Sequence, residues 1–137
     1  MALLILDSEA LSALARPHQD ELRHQRVRSA LRTAHIRNHP VRVPSVVLVE
    51  LYRGRGADEP VDLVLGRGFI QVVTTGARIA RIAGHLLSAV GSGSEMAVDA
   101  LVVATAIRFG GGIILTHDVE DLRSLASDHA NVTVAGI

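Results

Sequence analysis

Short unbroken apolar runs alternate along this chain with longer stretches in which apolar residues recur every three or four positions. The first run, Leu3-Leu4-Ile5-Leu6, shows no alternation, as expected of a strand covered on both faces inside a parallel sheet, and it stops abruptly at Asp7-Ser8. A short helix from Ala10 to about Ala15 follows, halted at Arg16-Pro17 because the residue before a proline disfavours helix. From Asp20 the pattern is that of a long helix with an apolar face of Leu22, Val27, Ala30, Leu31 and Ala34, ended by Asn38-His39-Pro40. Val41-Arg42-Val43 reads as a strand broken by Pro44. Val46 to Tyr52 is rich in β-branched residues. Pro44-Ser45 before it and Arg53-Gly54 after it are nevertheless helix start and stop signals, with Ser45 the candidate N-cap.

The second half repeats the alternation. Gly54 to Gly68 is turn-rich around a weak helix near Val61 to Leu65, and Phe69 to Val73 is a third strand. Arg78 to Val90 is a helix with Ile79, Ile82, Ala83, Leu86 and Leu87 on one side, and Gly91 to Ser94 is a turn. Met96 to Phe109 is apolar almost all round, which implies a core helix, ended by Gly110-Gly111-Gly112. Ile113 to Thr116 is the fourth strand, Val119 to Ala126 a helix, and Val132 to Val134 the closing strand. Strands separated by helices require crossover connections, hence an α/β fold with a mostly parallel sheet and helices on both faces. The length of 137 residues suits one domain spanning 1–137.

Composition narrows the chemistry. The chain has no Cys, which removes disulfides, thiolate metal sites and a Cys nucleophile. All 14 basic residues are Arg, so a P-loop lysine and a Schiff-base lysine are excluded. Formal net charge is zero, no apolar run is long enough to span a membrane, and the N-terminus lacks the basic start of a secretion signal. A soluble cytoplasmic protein without membrane contact is the expectation. Tyr52, Phe69 and Phe109 are too few aromatics for a base-stacking platform, so any nucleic acid must be held chiefly through phosphate contacts by Arg. Arg23, Arg26, Arg28, Arg32 and Arg37 along the long helix are either a solvated face or such a surface.

The acidic residues carry the functional signal. Asp99 lies in Ala97-Val98-Asp99-Ala100-Leu101-Val102-Val103-Ala104, on a helix with almost no polar face, and Glu50 is set in Val-Val-Leu-Val-Glu-Leu. A carboxylate buried in such surroundings must be paired with Arg, hydrogen-bonded or metal-bound. Glu95 precedes Asp99 by four residues and would share its helix face. Asp7 and Asp118 each follow a strand end, where α/β proteins place their chemistry, although either acid could simply cap the next helix. Carboxylates converging without Lys or Cys repel one another unless a hard cation neutralises them. Oxygen-only ligands favour Mg²⁺ or Mn²⁺, and an ion so held can activate water for phosphodiester hydrolysis.

The sequence resembles a known family at this point. Leu-Asp-Ser at Leu6–Ser8, Pro-Ser-x-x-x-x-Glu at Pro44–Glu50, Val-Asp-Ala-Leu-x-x-Ala at Val98–Ala104 and Thr-x-Asp at Thr116–Asp118 look like a PIN-domain nuclease, and more narrowly like the toxin of VapBC-type toxin–antitoxin modules. Each motif alone is weak; in this order and spacing they are fairly specific. The resemblance implies a three-layer α/β/α fold and a Mg²⁺- or Mn²⁺-dependent endoribonuclease that cuts RNA, is neutralised by a cognate antitoxin and usually forms a homodimer. It also implies that Asp7, Glu50, Asp99 and Asp118 form the metal-binding, catalytic cluster, with Thr116 supporting it. Ser8, Glu95 and Asp121 are further supporting candidates by their positions beside these residues, Asp121 either behind the ligands or as an extra ligand. Arg16, Arg53 and Arg55, shortly after Asp7 and Glu50, are candidates for contact with RNA phosphates or with the antitoxin. The arginine-rich N-terminal third lies outside the family's motifs.

Three other readings compete. A non-catalytic α/β binding module is weakened by Asp-Ser-Glu-Ala standing where a nucleotide binder would carry G-x-G-x-x-G. A small-molecule phosphatase would want a second Asp two residues after the first and a Lys; Glu9 stands there and no Lys exists. A histidine-based nuclease finds seven His, but scattered without paired spacing.

Overall fold

Every strand in the computed structural model, which describes residues 2–137, runs in the same direction. The sheet contains β1 (Leu4–Leu6), β2 (Val41–Pro44), β3 (Gln71–Val73), β4 (Gly112–Thr116) and β5 (Val132–Gly136), in the order β3-β2-β1-β4-β5. The unbroken apolar runs explain this, since β1 is buried along its whole length and Ile5, Leu6 and Ile114 are fully enclosed.

Between the strands lie α1 (Ser8–Ala15), α2 (Glu21–Ile36), α3 (Leu48–Leu51), α4 (Asp58–Gly66), α5 (Ala77–Ala89), α6 (Ala97–Arg108) and α7 (Val119–Ala126). The path β1→β2→β3 steps one way across the sheet, then the chain returns past β1 to β4 and β5. Right-handed crossovers therefore put α1 to α4 on one face and α5 to α7 on the other. The packing agrees: α1 contacts α2, α3 and α4, while α5, α6 and α7 contact one another. The outcome is the three-layer α/β/α arrangement. The core helix α6 buries Ala100 and every residue from Val102 to Ala106, which matches its all-round apolar sequence. The Thr105 hydroxyl, fully enclosed there, donates to Leu101 O at 2.7 Å.

Differences from the sequence expectation fall at element ends. The strand expected from Phe69 is only Gln71–Val73; Phe69 is 46% exposed, and Gln71 and Val72 lie open on the sheet edge. Helix after Pro44 begins as a 3-10 turn over Ser45–Val47 before α3, and Ser45 does not cap it. Its hydroxyl instead accepts from Thr75 N–H at 3.0 Å, tying this turn to the loop after β3. Another 3-10 turn, Ser94–Met96, takes the residues just before α6. The weak helix is longer than expected, as α4.

The glycine run after α6 shows how tightly the sheet is set. Gly111 N–H donates to Ala106 O at 2.8 Å with φ at +110°, closing the helix, and Gly112 immediately enters β4. A Cβ on Gly112 would stand 2.6 Å from Leu3 O, the oxygen that accepts Ile113 N–H at 2.7 Å. Gly112→Ala should therefore prise β4 from the start of β1 and lower unfolding free energy by about 1–3 kcal/mol. Gly84→Ala, on α5 with nothing within 4 Å of the added methyl, should be neutral or raise it by up to about 1 kcal/mol. Chemical denaturation of both variants checks the contrast.

Candidate active site

The strand order reverses between β1 and β4, and in an open parallel sheet that switch leaves a crevice beyond the strands' carboxyl ends. Asp7 stands at the end of β1 and Thr116 ends β4 directly beside it, with Asp7 N–H donating to Leu115 O at 3.3 Å. Asp7 is 4% exposed. One of its carboxylate oxygens accepts Ala10 N–H at 2.9 Å, so it caps α1 from the end of β1. Thr116 is fully buried, and its hydroxyl accepts Asp118 N–H at 2.9 Å, which folds the strand end over into α7.

Asp99 arrives from the first turn of α6, half-buried, and meets Asp118 and Asp121 from α7's start. Carboxylate oxygens of Asp99, Asp118 and Asp121 lie within 4.8 Å of one another. Asp118 occupies the cap position of α7, yet its side chain makes no capping bond there, so the purely structural explanation for it is absent. Glu50, at the end of the opposite wall on α3, is exposed rather than buried as its apolar neighbours suggested. It is still close enough for its charge to act on Asp99, as is that of Glu9 on α1.

Other expected residues sit apart. Ser8 opens α1 next to Asp7. Glu95, exposed in its 3-10 turn, accepts from Ser92 Oγ at 3.1 Å and Gly93 N–H at 3.3 Å; hydrogen bonding from its own backbone N–H first, then from Gly93 and Ser92, holds its pKa below the usual value. Arg16 donates to Ser12 Oγ at 3.1 Å and Ala57 O at 2.9 Å. Arg53 turns back on Val49 O and Tyr52 O, and Arg55 is exposed. Glu9 is the residue that sequence reasoning passed over as a site member; its place two positions beyond Asp7, on the first turn of α1, was the available signal.

No cation compensates this cluster. Among the described residues the one ion pair joins Arg23 to Asp20 at 3.2 Å, and no Arg comes within pairing distance of Asp7, Asp99, Asp118 or Asp121. The electrostatic consequence is direct. Burial pushes Asp7 up to about 6, with Thr116 and the Ala10 N–H pulling it back and the charges of Glu9 and Asp99 adding to the rise. Asp99 also rises to about 6, first through burial and then through the charges of Asp118, Asp121, Glu50 and Glu9. Asp121 is raised chiefly by the charge of Asp118. Unpaired oxygen donors that destabilise one another in the metal-free chain are the donor set a hard divalent cation fits.

Comparison with known proteins identifies the family and the fold. The sequence model of the PIN domain matches residues 4–127. The chain superposes on the crystal structure of VapBC2 from Rickettsia felis bound to a DNA fragment from their promoter with a TM-score of 0.69, at 16% identity, covering 98% of both chains. It superposes on DNA-bound VapBC from Salmonella typhimurium with a TM-score of 0.70, at 13% identity, covering 99% of this chain and 98% of that one. These structures share the fold. No curated protein sequence matches the chain.

Asp7 and Asp99 keep protons in the fold that the unfolded chain releases, since both rise from an ordinary 3.8 to about 6. Between about pH 4 and 6 the native state binds more protons than the unfolded state, so metal-free stability falls as pH rises through that window. Asp99→Asn removes one such group without changing its shape. The chelated variant should exceed wild type by about 1 kcal/mol at pH 7, solvent screening at this half-exposed site limiting the gain. The two should converge near pH 4. A variant less stable at every pH would mean that the Asp99 carboxylate is paired and stabilising.

Proposed function

The chain belongs to the PIN domain family, and from that premise we propose that it is a Mg²⁺- or Mn²⁺-dependent endoribonuclease toxin, neutralised by a cognate antitoxin. The observation that carries the activity is the uncompensated carboxylate cluster at the sheet's switch point, where no Arg stands within pairing distance. Asp7, Asp99 and Asp118 would hold the ion, with Asp121 adjoining them and Glu50 completing the set from the opposite wall. When bound, the ion supplies an acidified water for attack on a phosphodiester and positive charge opposite the departing oxygen. Asp7 presents a fixed oxygen, because the Ala10 N–H holds its side chain. Thr116 fixes the turn that carries Asp118. Glu50, exposed at the rim, is free to accept a proton from water entering the crevice.

The antitoxin reading has its own support. A groove of about 960 Å³ between α1, α2 and α4 is floored by Leu14, Leu31 and Val64 and edged by Arg28, Arg32 and Arg67, which outnumber the one carboxylate in its lining, Glu59. Leu63 and Phe69 stand 61% and 46% exposed beside it. A partner segment bearing apolar residues and carboxylates is the complement of such a surface. Two crystal structures that share the fold are of VapBC bound to DNA.

Purified, partner-free protein should cut RNA with Mg²⁺ or Mn²⁺ and stop when the ion is chelated. Asp99→Asn and Asp118→Asn should each reduce cleavage by more than about 100-fold, beyond what loss of a group supporting a ligand costs. Asp121→Asn should give the smaller defect. Because Asn caps nearly as well as Asp, Asp118→Asn should melt close to wild type. Cleavage that survives exhaustive chelation would sink the metal mechanism. A dead Asp121→Asn beside an active Asp118→Asn would reverse the ligand assignment, and no cleavage with any divalent ion would leave a non-catalytic binding scaffold.

A further inference from the structure

Beside the acidic cluster lies a second depression, of about 410 Å³, that shares Glu50 with it. Its walls carry Ser8 and Ser12 on α1 and two guanidinium groups, those of Arg16 and Arg23, set among the carboxylates of Glu9, Asp20 and Glu50. Ser8 adjoins Asp7, and Glu50 belongs to the acidic set, so the depression opens next to the carboxylates. We propose that it receives the RNA nucleotide flanking the cleaved bond, with Arg23 and Arg16 as the ligands of that nucleotide's phosphate. This inference rests on the reading of the chain as an RNA-cutting enzyme and adds to it a residue, Arg23, and a place for the chain of the substrate.

Both guanidiniums are held in position without being used up. Arg16 is fixed by a hydroxyl and a backbone carbonyl, Ser12 Oγ at 3.1 Å and Ala57 O at 2.9 Å, and no carboxylate neutralises it. Arg23 reaches out from the first turn of α2, with Nε 3.2 Å from Asp20 and an NH2 proton donated to His117 Nε2 at 2.7 Å. The imidazole nitrogen accepts here, since a guanidinium only donates. A guanidinium carries five N–H donors, so both arginines keep free ones. His117 stands between Thr116 and Asp118, and the contact therefore ties α2 to the turn that delivers one of the cluster's carboxylates.

The need for such cations follows from the charge around the crevice. A polyanion must bring its phosphates up to Asp7, Glu9, Glu50, Asp99, Asp118 and Asp121, and an ion at the centre serves the reacting phosphate alone. The flanking phosphate requires its own counter-charge. The chain has no Lys, and with Tyr52, Phe69 and Phe109 its only aromatics it has no platform to hold bases by stacking, so Arg must do it. The Arg23–His117 contact could otherwise be a latch that only braces the Asp118 turn, and the two roles differ in what they change.

The test compares wild type, Arg23→Ala and Arg23→Lys on a dinucleotide with one phosphodiester and on longer single-stranded RNA, alongside binding of the same RNA under chelation at several salt concentrations. Melting temperatures confirm that the variants are folded. On the longer RNA, Arg23→Ala should raise KM about tenfold, the weight of a charge-assisted hydrogen bond to phosphate, with kcat within about threefold. It should also lower the salt dependence of binding by about one phosphate's worth. Arg23→Lys should recover most of both, and the defect should shrink on the dinucleotide, which lacks the flanking phosphate. A loss carried by kcat, equal on both substrates and unrelieved by Lys, would establish the latch and overturn the subsite. An unchanged salt dependence would overturn it too. Wild-type protein that cuts no RNA yet binds it through Arg23 would defeat the nuclease reading and leave the subsite standing; cleavage of long RNA untouched by Arg23→Ala would do the reverse.

Discussion

Asp7 is held at 4% exposure at the end of a fully buried strand, with no cation among the described residues in pairing distance, and the architecture around it has to supply what an Arg partner would. It does so by hydrogen bonding. The Ala10 N–H of α1 and the Thr116 hydroxyl stabilise the charge in part, but burial and the neighbouring carboxylates outweigh them and its pKa settles near 6. The chain thus keeps a repulsive cluster where simple stability would have favoured an ion pair or apolar packing. That choice has a cost in the metal-free state, and it is intelligible only if something positive enters the crevice. The parallel sheet, the right-handed crossovers and the reversal of strand order between β1 and β4 all serve to bring these side chains to one place.

The elements that were legible in the sequence are those whose environment is uniform. β1, β4 and α6 are enclosed on all sides, and their composition says so without any periodicity: Leu-Ile-Leu, Ile-Ile-Leu, Val-Val-Ala-Thr-Ala. β3 was harder because it is an edge. With Gln71 and Val72 open, nothing but pairing to β2 defines the strand, and the apolar Phe69 that seemed to begin it instead stands exposed near the α2–α4 groove. Ser45 misled for a related reason. As a residue before a helix it has the chemistry of a cap, but a partner 30 residues away, Thr75, competes for the same hydroxyl, and sequence order carries no trace of that partner.

The acidic site divides along the same line. Asp7, Asp99 and Asp118 were conspicuous because each interrupts an apolar setting or ends a strand, and the fold brings them to one crevice. Glu50 was conspicuous for a reason the structure does not bear out, since its apolar neighbours Val47 and Leu51 are buried while it faces outward. Glu9 and Arg23 carried no signal of that kind. Both are charged residues in the first turn of a helix, where charge is ordinary, and only the crossing of α1, α2 and the β4–α7 turn reveals what they face.

Zero net charge conceals how the charge is distributed. The carboxylates collect at the carboxyl ends of β1 and β4, whereas Arg26, Arg28, Arg32 and Arg37 lie exposed along α2 and Arg16 and Arg23 stand between the two regions. A field of this shape draws a polyanion toward the α2 side and, until the carboxylates are neutralised, holds it at the arginines short of the reacting position. For the RNA substrate proposed above, productive approach would thereby be conditional on an occupied cluster, with the arginines nearest it governing how far the strand advances. The same basic face borders the apolar groove, so an acidic partner segment seated there would cancel the attraction as well as cover the surface. Inhibition by such a partner then needs no contact with the carboxylates themselves, because it removes the field that brings the substrate to them.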